Sequence, residues 1–345
     1  MTTATDDIVL SVRNLSVNYE TAGDPVRAVR NVDLQLRRGQ IYGIAGESGC
    51  GKSTLLYALS RLLKPPARVI EGEITFSDGS QDIDVLALDD ESLRRFRWAR
   101  LSLVFQSALN ALNPVLTIHS QLRDVLLQHQ PQLGKAGAKN RALELLRVVG
   151  VPGDRLDSYP HQLSGGMRQR VMIALALALD PDVILMDEPT TALDVVTQRQ
   201  ILDEILRLRQ DRGFAVIFIT HDISLLLEIA DVISVMYAGR IVETAVPADL
   251  LEDPKHPYTR GLLESFPPLD GPKTRLTGIG GTPPDLKLNV PGCSFHPRCP
   301  FAMAECTTDR PKLLPVFDRS HPGADDREVA CFLHQPVVTR EEEVA

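Results

Sequence analysis

The sequence has no run of about 18 consecutive apolar residues, the least that crosses a bilayer as a helix. Its first ten residues, MTTATDDIVL, lack the basic and apolar regions of a secretory signal. The chain is therefore expected in the cytoplasm, and work at a membrane would need another subunit to hold it there. No lysine- or arginine-rich block occurs, and 37 Lys+Arg against 45 Asp+Glu leave a net charge of −8. That balance points away from nucleic acid as a partner. Cysteine is nearly absent from the first 250 residues, which hold only Cys50 of the five. A reducing compartment excludes disulfides as the staple of the fold. Apolar residues are not lacking: at 43% over 345 residues they suffice for a sizeable core and two domains.

The most informative stretch is GESGCGKS, Gly46 to Ser53. Its spacing, G-x-x-x-x-G-K-[ST], is that of a phosphate-cradling loop. Gly46, Gly49 and Gly51 let backbone N–H groups face inward, where side chains would block an anion. The intervening Glu47, Ser48 and Cys50 contribute backbone, Cys50 being a small residue at a variable position. Lys52 supplies a charge for the β- and γ-phosphates, and the Ser53 hydroxyl can ligate Mg²⁺. An apolar run, Ile41 to Ala45, precedes the loop and reads as a buried strand. Ser53 to Leu63 follows with leucines at helical spacing, Thr54 among its first residues. The loop thus opens a helix N-terminus, which favours an anion.

Further along, residues 8 to 45 read as strands, with Val32, Leu34 and Leu36 alternating with polar neighbours. Tyr19, between the first two, is either an ordinary sheet aromatic or a platform for an adenine ring. Another β-rich piece covers Glu71 to Asp84. Residues 93 to 106 carry arginines and a strand, LSLVFQ, that ends at Gln106. A helical region runs from there to about residue 179. In LSGGMRQR, Ser164 is a good N-cap, and Gly165 and Gly166 are poor helix formers. Two glycines there imply a close approach to the backbone by something anionic. Val183 to Met186 is a buried strand leading to Asp187 and Glu188, two carboxylates that need a partner. In P-loop proteins such an Asp holds Mg²⁺. Glu188, on the other side of the chain, can orient or deprotonate the water that attacks the γ-phosphate. TTALD, ending at Asp194, leads into a helix near Gln198 to Arg209. Phe214 to Thr220 is a further buried strand, and His221 just beyond it lies at the edge where α/β ligands bind. Strands near 232–237 and 241–245 close the domain.

In this order the motifs resemble the nucleotide-binding domain of ATP-binding cassette transporters over residues 8 to about 250. GESGCGKS matches the P-loop, Gln106 the Q-loop, LSGGMRQR the signature, VILMDEP the Walker B strand, TALD the D-loop and His221 the switch histidine. Met167 departs from the commonest signature, which has Gln there. The resemblance implies an α/β fold, with a RecA-like P-loop core, an antiparallel β subdomain and a helical subdomain. It implies ATP hydrolysis with Mg²⁺ held by Ser53, Gln106 and Asp187, catalysis by Glu188, His221 and Gln106, and Tyr19 and Asp194 among the nucleotide contacts. It also implies that Ser164, Gly165 and Gly166 cap the ATP held by a second ATPase subunit, a related heterodimer partner rather than an identical copy.

Residues 251–345 carry 14 of the 24 prolines, a shift that marks a different module. HPYTRGLLES, PGCSFHPRCPFAMAEC and the earlier LNPVLTI resemble oligopeptide and dipeptide importer ATPases and their C-terminal extension. That implies two transmembrane permease subunits docked near Gln106 to Gln121, an extracellular or periplasmic binding protein, and a peripheral place on the cytoplasmic face. The same subfamily carries nickel, glutathione or oligosaccharides. Soluble cassette proteins of DNA repair fit less well, since they insert long coiled coils. Those of translation generally carry two cassettes, and this chain has one P-loop. The tail's Cys293, Cys299, Cys306 and Cys331 are spaced C-x5-C-x6-C-x24-C. Clustered thiols suggest a metal site. Without the close pairs that zinc sites show, a [4Fe–4S] cluster is favoured over zinc or free structural thiols, as it is by the resemblance. Its expected role is a structural clip for a tail with little core, with redox sensing as the alternative.

Overall fold

The computed structural model describes residues 7–106, 111–191, 193–265, 278–316 and 327–335. Two sheets organise it. The strands β1 (Ile8–Tyr19), β2 (Val26–Arg37), β4 (Ala67–Ser77) and β5 (Asp82–Asp84) form an antiparallel sheet in the order β2-β1-β4-β5. The second sheet has eight strands and runs β11-β12-β10-β9-β3-β8-β7-β6. Its centre comprises β3 (Ile41–Ala45), β6 (Leu101–Val104), β7 (Val183–Asp187), β8 (Ala215–Ile219) and β9 (Val232–Tyr237), paired in parallel. An antiparallel edge, β10 (Arg240–Ala245), follows β9.

The short apolar runs become the central strands because both faces of the sheet are covered. Every residue of β3, β7, β8 and β9 is buried. Side chains alternate between two cores, as the period of a strand requires. Ile41, Ile184, Met186, Val216 and Phe218 enter one core, shared with the helices. Tyr42, Ile44, Val183, Leu185 and Ile217 enter the other, shared with the antiparallel sheet and α1 (Lys52–Leu59). The helices between β6 and β7 are α3 (Ile118–His129), α4 (Gly134–Val148) and α5 (Gly165–Ala176), after α2 (Asp90–Ala99) has led into β6. Beyond β7 come α6 (Val195–Arg212) and α7 (Ile223–Ile229).

Two expectations change in detail. The P-loop helix stops at Leu59 and not Leu63, since Arg61 takes a left-handed φ of 52°. Residues 93–99, read only as an arginine-bearing approach to a strand, form most of α2, capped by Asp89 through the Ser92 N–H. Part of the expected permease-docking stretch, residues 107–110, lies outside the described residues, as does 266–277 of the proline-rich stretch.

The C-terminal residues build onto the core of the parallel strands. After α8 (Pro247–Glu252) and α9 (Pro257–Glu264), the strands β11 (Leu314–Pro315) and β12 (Glu328–Val329) extend the main sheet through β10. Phe295 packs edge-on against Tyr237 of β9 and at a tilt against Tyr258 of α9. The buried Glu243 accepts from the Lys255 and His256 N–H groups. His256 Nδ1 accepts from the Tyr258 N–H at 3.0 Å, capping α9.

Complete burial, with His334 nearby, holds the His256 imidazole down at about 3. The ordinary value is about 6.5. Between those values the unfolded chain takes up a proton that the folded chain refuses. The site's contribution is therefore complete above about pH 6.5 and declines as pH falls, by up to about 1.4 kcal/mol per unit. Urea unfolding at about pH 7.5 and about pH 5 checks this. The wild-type midpoint should fall at the lower pH by clearly more than that of His256→Gln; equal falls would refute the assignment.

Candidate active site

The loop after β3 is shaped by three glycines with positive φ: Gly46 at 151°, Gly49 at 77° and Gly51 at 108°. Their reasons differ from the expected one. A Cβ on Gly46 would lie 2.2 Å from the Met236 carbonyl oxygen, and one on Gly51 would lie 2.0 Å from that of Ala28. These two glycines let the loop lie against neighbouring backbone. A Cβ on Gly49 would meet nothing within 4 Å, so there only the left-handed backbone calls for glycine. Lys52 is buried and folds back on the loop, Nζ donating to the Gly46 and Glu47 carbonyls at 2.7 and 3.0 Å. Cys50 is buried beside it, and burial pushes its thiol up. Tyr19 ends β1 with its hydroxyl 3.0 Å from that of Thr54, at the rim of the loop helix.

At the end of β7, Asp187 is completely buried. Ser53 Oγ donates to its Oδ1 at 2.9 Å, while its Oδ2 has no partner. Burial pushes the carboxyl up, against the Ser53 and Tyr57 hydroxyls that pull it down. An orphaned buried oxygen beside a hydroxyl suits Mg²⁺, which prefers carboxylate and water oxygens. Glu188 does not continue the strand alternation. Its φ of 44° is left-handed, and the turn is held by its N–H donating to the Ile219 carbonyl. Three groups converge on its carboxylate. Gln106 Nε2 and Thr191 Oγ1 each donate to Oε2 at 2.9 Å, and His221 Nδ1 lies 3.2 Å from Oε1. Burial raises this carboxyl, yet Thr191, the His221 contact and Gln106 outweigh it and set it below the usual range. Glu188 is thus ionised at neutral pH and can accept a proton.

P-loop, Gln106, Asp187, Glu188 and His221 therefore meet at the C-terminal ends of the parallel strands. The signature stands apart. Ser164 caps α5 by accepting from the Met167 N–H. A Cβ on Gly166 would strike Thr197 Cγ2 at 2.6 Å, so this glycine permits packing against α6; Gly165 has only an ordinary contact with Leu193. Asp194 accepts from the Thr197 N–H and hydroxyl, capping α6. Among the described residues, no hydrogen bond ties Ser164, Gly165, Gly166 or Asp194 to the P-loop of the same chain. Thr191 and Tyr57 were missed; Thr191 could have been suspected from its place three residues after Glu188 in DEPTT.

The tail cysteines are all free thiols, and all four line one pocket with Phe295 and His296. The Cys293 N–H donates to the Cys306 carbonyl at 2.9 Å. Close packing there needs Gly292, whose Cβ would sit 2.3 Å from that carbonyl. Burial, and the other three thiols, push Cys331 up to about 12. Among the described residues, no group of three or more His, Cys, Asp or Glu side chains is set to grip a single metal ion.

A P-loop set against a strand-end Asp-Glu pair defines a P-loop NTPase. Comparison with known proteins narrows the class. The ABC transporter family profile matches residues 29–191, and one for the oligopeptide/dipeptide transporter C-terminal region matches 242–306. The chain is 44% identical over 332 residues to the dipeptide transport ATP-binding protein DppD of Bacillus subtilis, covering 94% of each. It is 44% identical over 335 residues to the oligopeptide transport ATP-binding protein OppD of Mycobacterium tuberculosis, covering 96% of this chain and 53% of that one. Among solved structures, the dimeric ATP-binding cassette MJ0796 in a post-hydrolysis state with ADP and Pi superposes with a TM-score of 0.61. It is 32% identical and covers 69% of this chain and 98% of that one. The chain belongs to the ABC transporter family, and it is an ATPase that uses ATP with Mg²⁺. Among the described residues no helix is long and apolar enough to cross a membrane.

The glycine geometry sets an order for substitution. Gly49→Ala should cost about 1–2 kcal/mol, the price of left-handed backbone alone. Gly46→Ala and Gly51→Ala should each cost clearly more, because an immovable carbonyl must also give way. Urea midpoints of the three variants check the order; equal losses would contradict it.

Proposed function

We propose that this chain is the ATP-hydrolysing subunit of an importer for dipeptides or oligopeptides. The observation that carries the reading is the likeness to peptide-transport ATP-binding proteins over nearly the whole chain, tail included. Such a subunit works on the cytoplasmic side, attached to two permease subunits, with a binding protein outside delivering the peptide. A second ATPase subunit, a related heterodimer partner, completes the nucleotide sites. Ser164, Gly165 and Gly166, which have no hydrogen bond to their own P-loop among the described residues, cap the partner's ATP. Asp194, already fixed as a helix cap, lies near that interface. Tyr19, at the loop rim, is the candidate for stacking on adenine. Residues 46–54 cradle the phosphates, and Lys52 swings from its two carbonyls to the β- and γ-oxygens.

Ser53 and Asp187 would hold Mg²⁺, with Gln106 reaching the same ion, and the metal when bound neutralises charge on the phosphates. Glu188 is the base. Its ionised carboxylate, steadied by Thr191 and Gln106, orients a water and takes its proton as the water oxygen bonds to the γ-phosphorus and the bond from that phosphorus to the bridging oxygen breaks, with ADP leaving. His221, 3.2 Å away, bridges Glu188 to the terminal phosphate. Closure of the two subunits over ATP pushes on the permeases, and hydrolysis releases them.

The chain divides near residue 250, and the residues beyond it form a small cysteine-rich module that packs against the rest. Cys293, Cys299, Cys306 and Cys331 would hold a [4Fe–4S] cluster as a structural clip. Convergence of all four thiols on one pocket supports this.

Two measurements check these assignments. Glu188→Gln in the assembled importer should lose turnover by about a hundredfold or more while ATP binding persists; turnover near the wild-type rate would exclude Glu188 as the base. Protein purified without air should absorb broadly near about 400 nm and contain iron and sulfide in equal amounts. A colourless preparation holding one zinc would reject the cluster.

A further inference from the structure

The P-loop carries a carboxylate, Glu47, directly after its first glycine. Beside a bound triphosphate this charge is adverse, the more so where water is partly excluded. Its partner comes from the far end of the chain. Arg298 Nη1 and Nη2 donate to Glu47 Oε2 and Oε1 at 2.8 and 2.9 Å, a bidentate pair. The Arg298 side chain is only 5% exposed and that of Glu47 25%. The guanidinium lies over the rings of Tyr237 and Phe295, 5.8 and 5.9 Å from their centroids. Its Nε donates to the Gly280 carbonyl at 2.9 Å. The same loop residue is held a second time, its N–H donating to Tyr258 Oη at 2.9 Å. Tyr258 is wholly buried. The tail thus grips one P-loop residue by backbone and side chain, across a separation of 251 residues.

We infer that Arg298 is a positioning residue for ATP: it neutralises the Glu47 carboxylate and holds it off the phosphates and off Lys52, so that the C-terminal extension sets the affinity of the P-loop for nucleotide. Lys52 Nζ now bonds two backbone carbonyls. Freed from Arg298, the Glu47 carboxylate would compete with the phosphates for that ammonium. A partly buried charge stripped of its partner is the costly case. The inference rests on ATP lying against residues 46–54. Lys52→Ala tests that basis separately, by abolishing nucleotide binding whatever stands at 298.

The effect has a sign that a mere brace lacks. Removing the cation harms ATP binding, whereas removing the carboxylate does not. The test is the ATP dependence of hydrolysis by the assembled transporter. Arg298→Gln should raise KM for ATP by about five- to fiftyfold with kcat within about twofold. Adding Glu47→Gln to that variant should return KM to within about twofold of wild type, and Arg298→Lys should keep it near wild type. Glu47→Gln alone, which leaves the Arg298 cation unpaired at the phosphate loop, should lower KM. An unchanged KM in Arg298→Gln, a double variant as poor as the single, or a KM in Glu47→Gln that is not lower than wild type would each overturn the inference. The last of these stands even if Arg298→Gln fails to fold.

Discussion

One buried carboxylate governs the arrangement. Asp187 ends a fully buried strand, and the protein supplies a partner for only one of its two oxygens. Leaving a buried carboxylate oxygen without a partner is unfavourable by several kcal/mol. In the proposed function a divalent cation removes that deficit and arrives with nucleotide, which would make the strand, the Ser53 hydroxyl and the P-loop answerable to one ligand. Glu188, on the next residue, is turned out of the strand by a left-handed backbone and gathered by Gln106, Thr191 and His221. Adjacent carboxylates thus acquire opposite tendencies, one pushed up by burial and the other drawn down by its donors. Environments that separate two acids in this way are how a site divides metal holding from base catalysis.

The signature helix shows what one chain leaves undone. Ser164 satisfies the N-terminus of α5 and Gly166 lets it pack on α6, and among the described residues neither is hydrogen-bonded to the phosphate loop. Local packing accounts for one of the two glycines; the proposed second subunit would account for the other.

Much of this was legible beforehand where chemistry is local. The apolar runs at 41–45, 183–186 and 214–220 had to be central strands, and GESGCGKS had to be a loop between strand and helix. The meeting of Gln106, Glu188 and His221 could be expected from their places at strand ends. Helix α2 escaped because its leucine and phenylalanine are few among arginines, and its N-cap, Asp89, is one acid in an acidic run. The left-handed turn at Glu188 left no mark, since no glycine stands there. Least legible was the tail. Proline content marked a different module, but it could not show that Phe295 and Tyr258 share the core of the parallel strands or that β12 extends the main sheet. No local pattern pairs residues 47 and 298; only the folded chain brings them together.

The account depends most on two chains sharing each nucleotide. The direct measurement is a structure of the closed assembly with a non-hydrolysable ATP analogue. The account predicts the γ-phosphate between Lys52 of one ATPase subunit and the signature serine and glycine N–H groups of the other. A closed assembly in which Ser164 and its two glycines faced solvent, with the γ-phosphate held by a single chain, would contradict it.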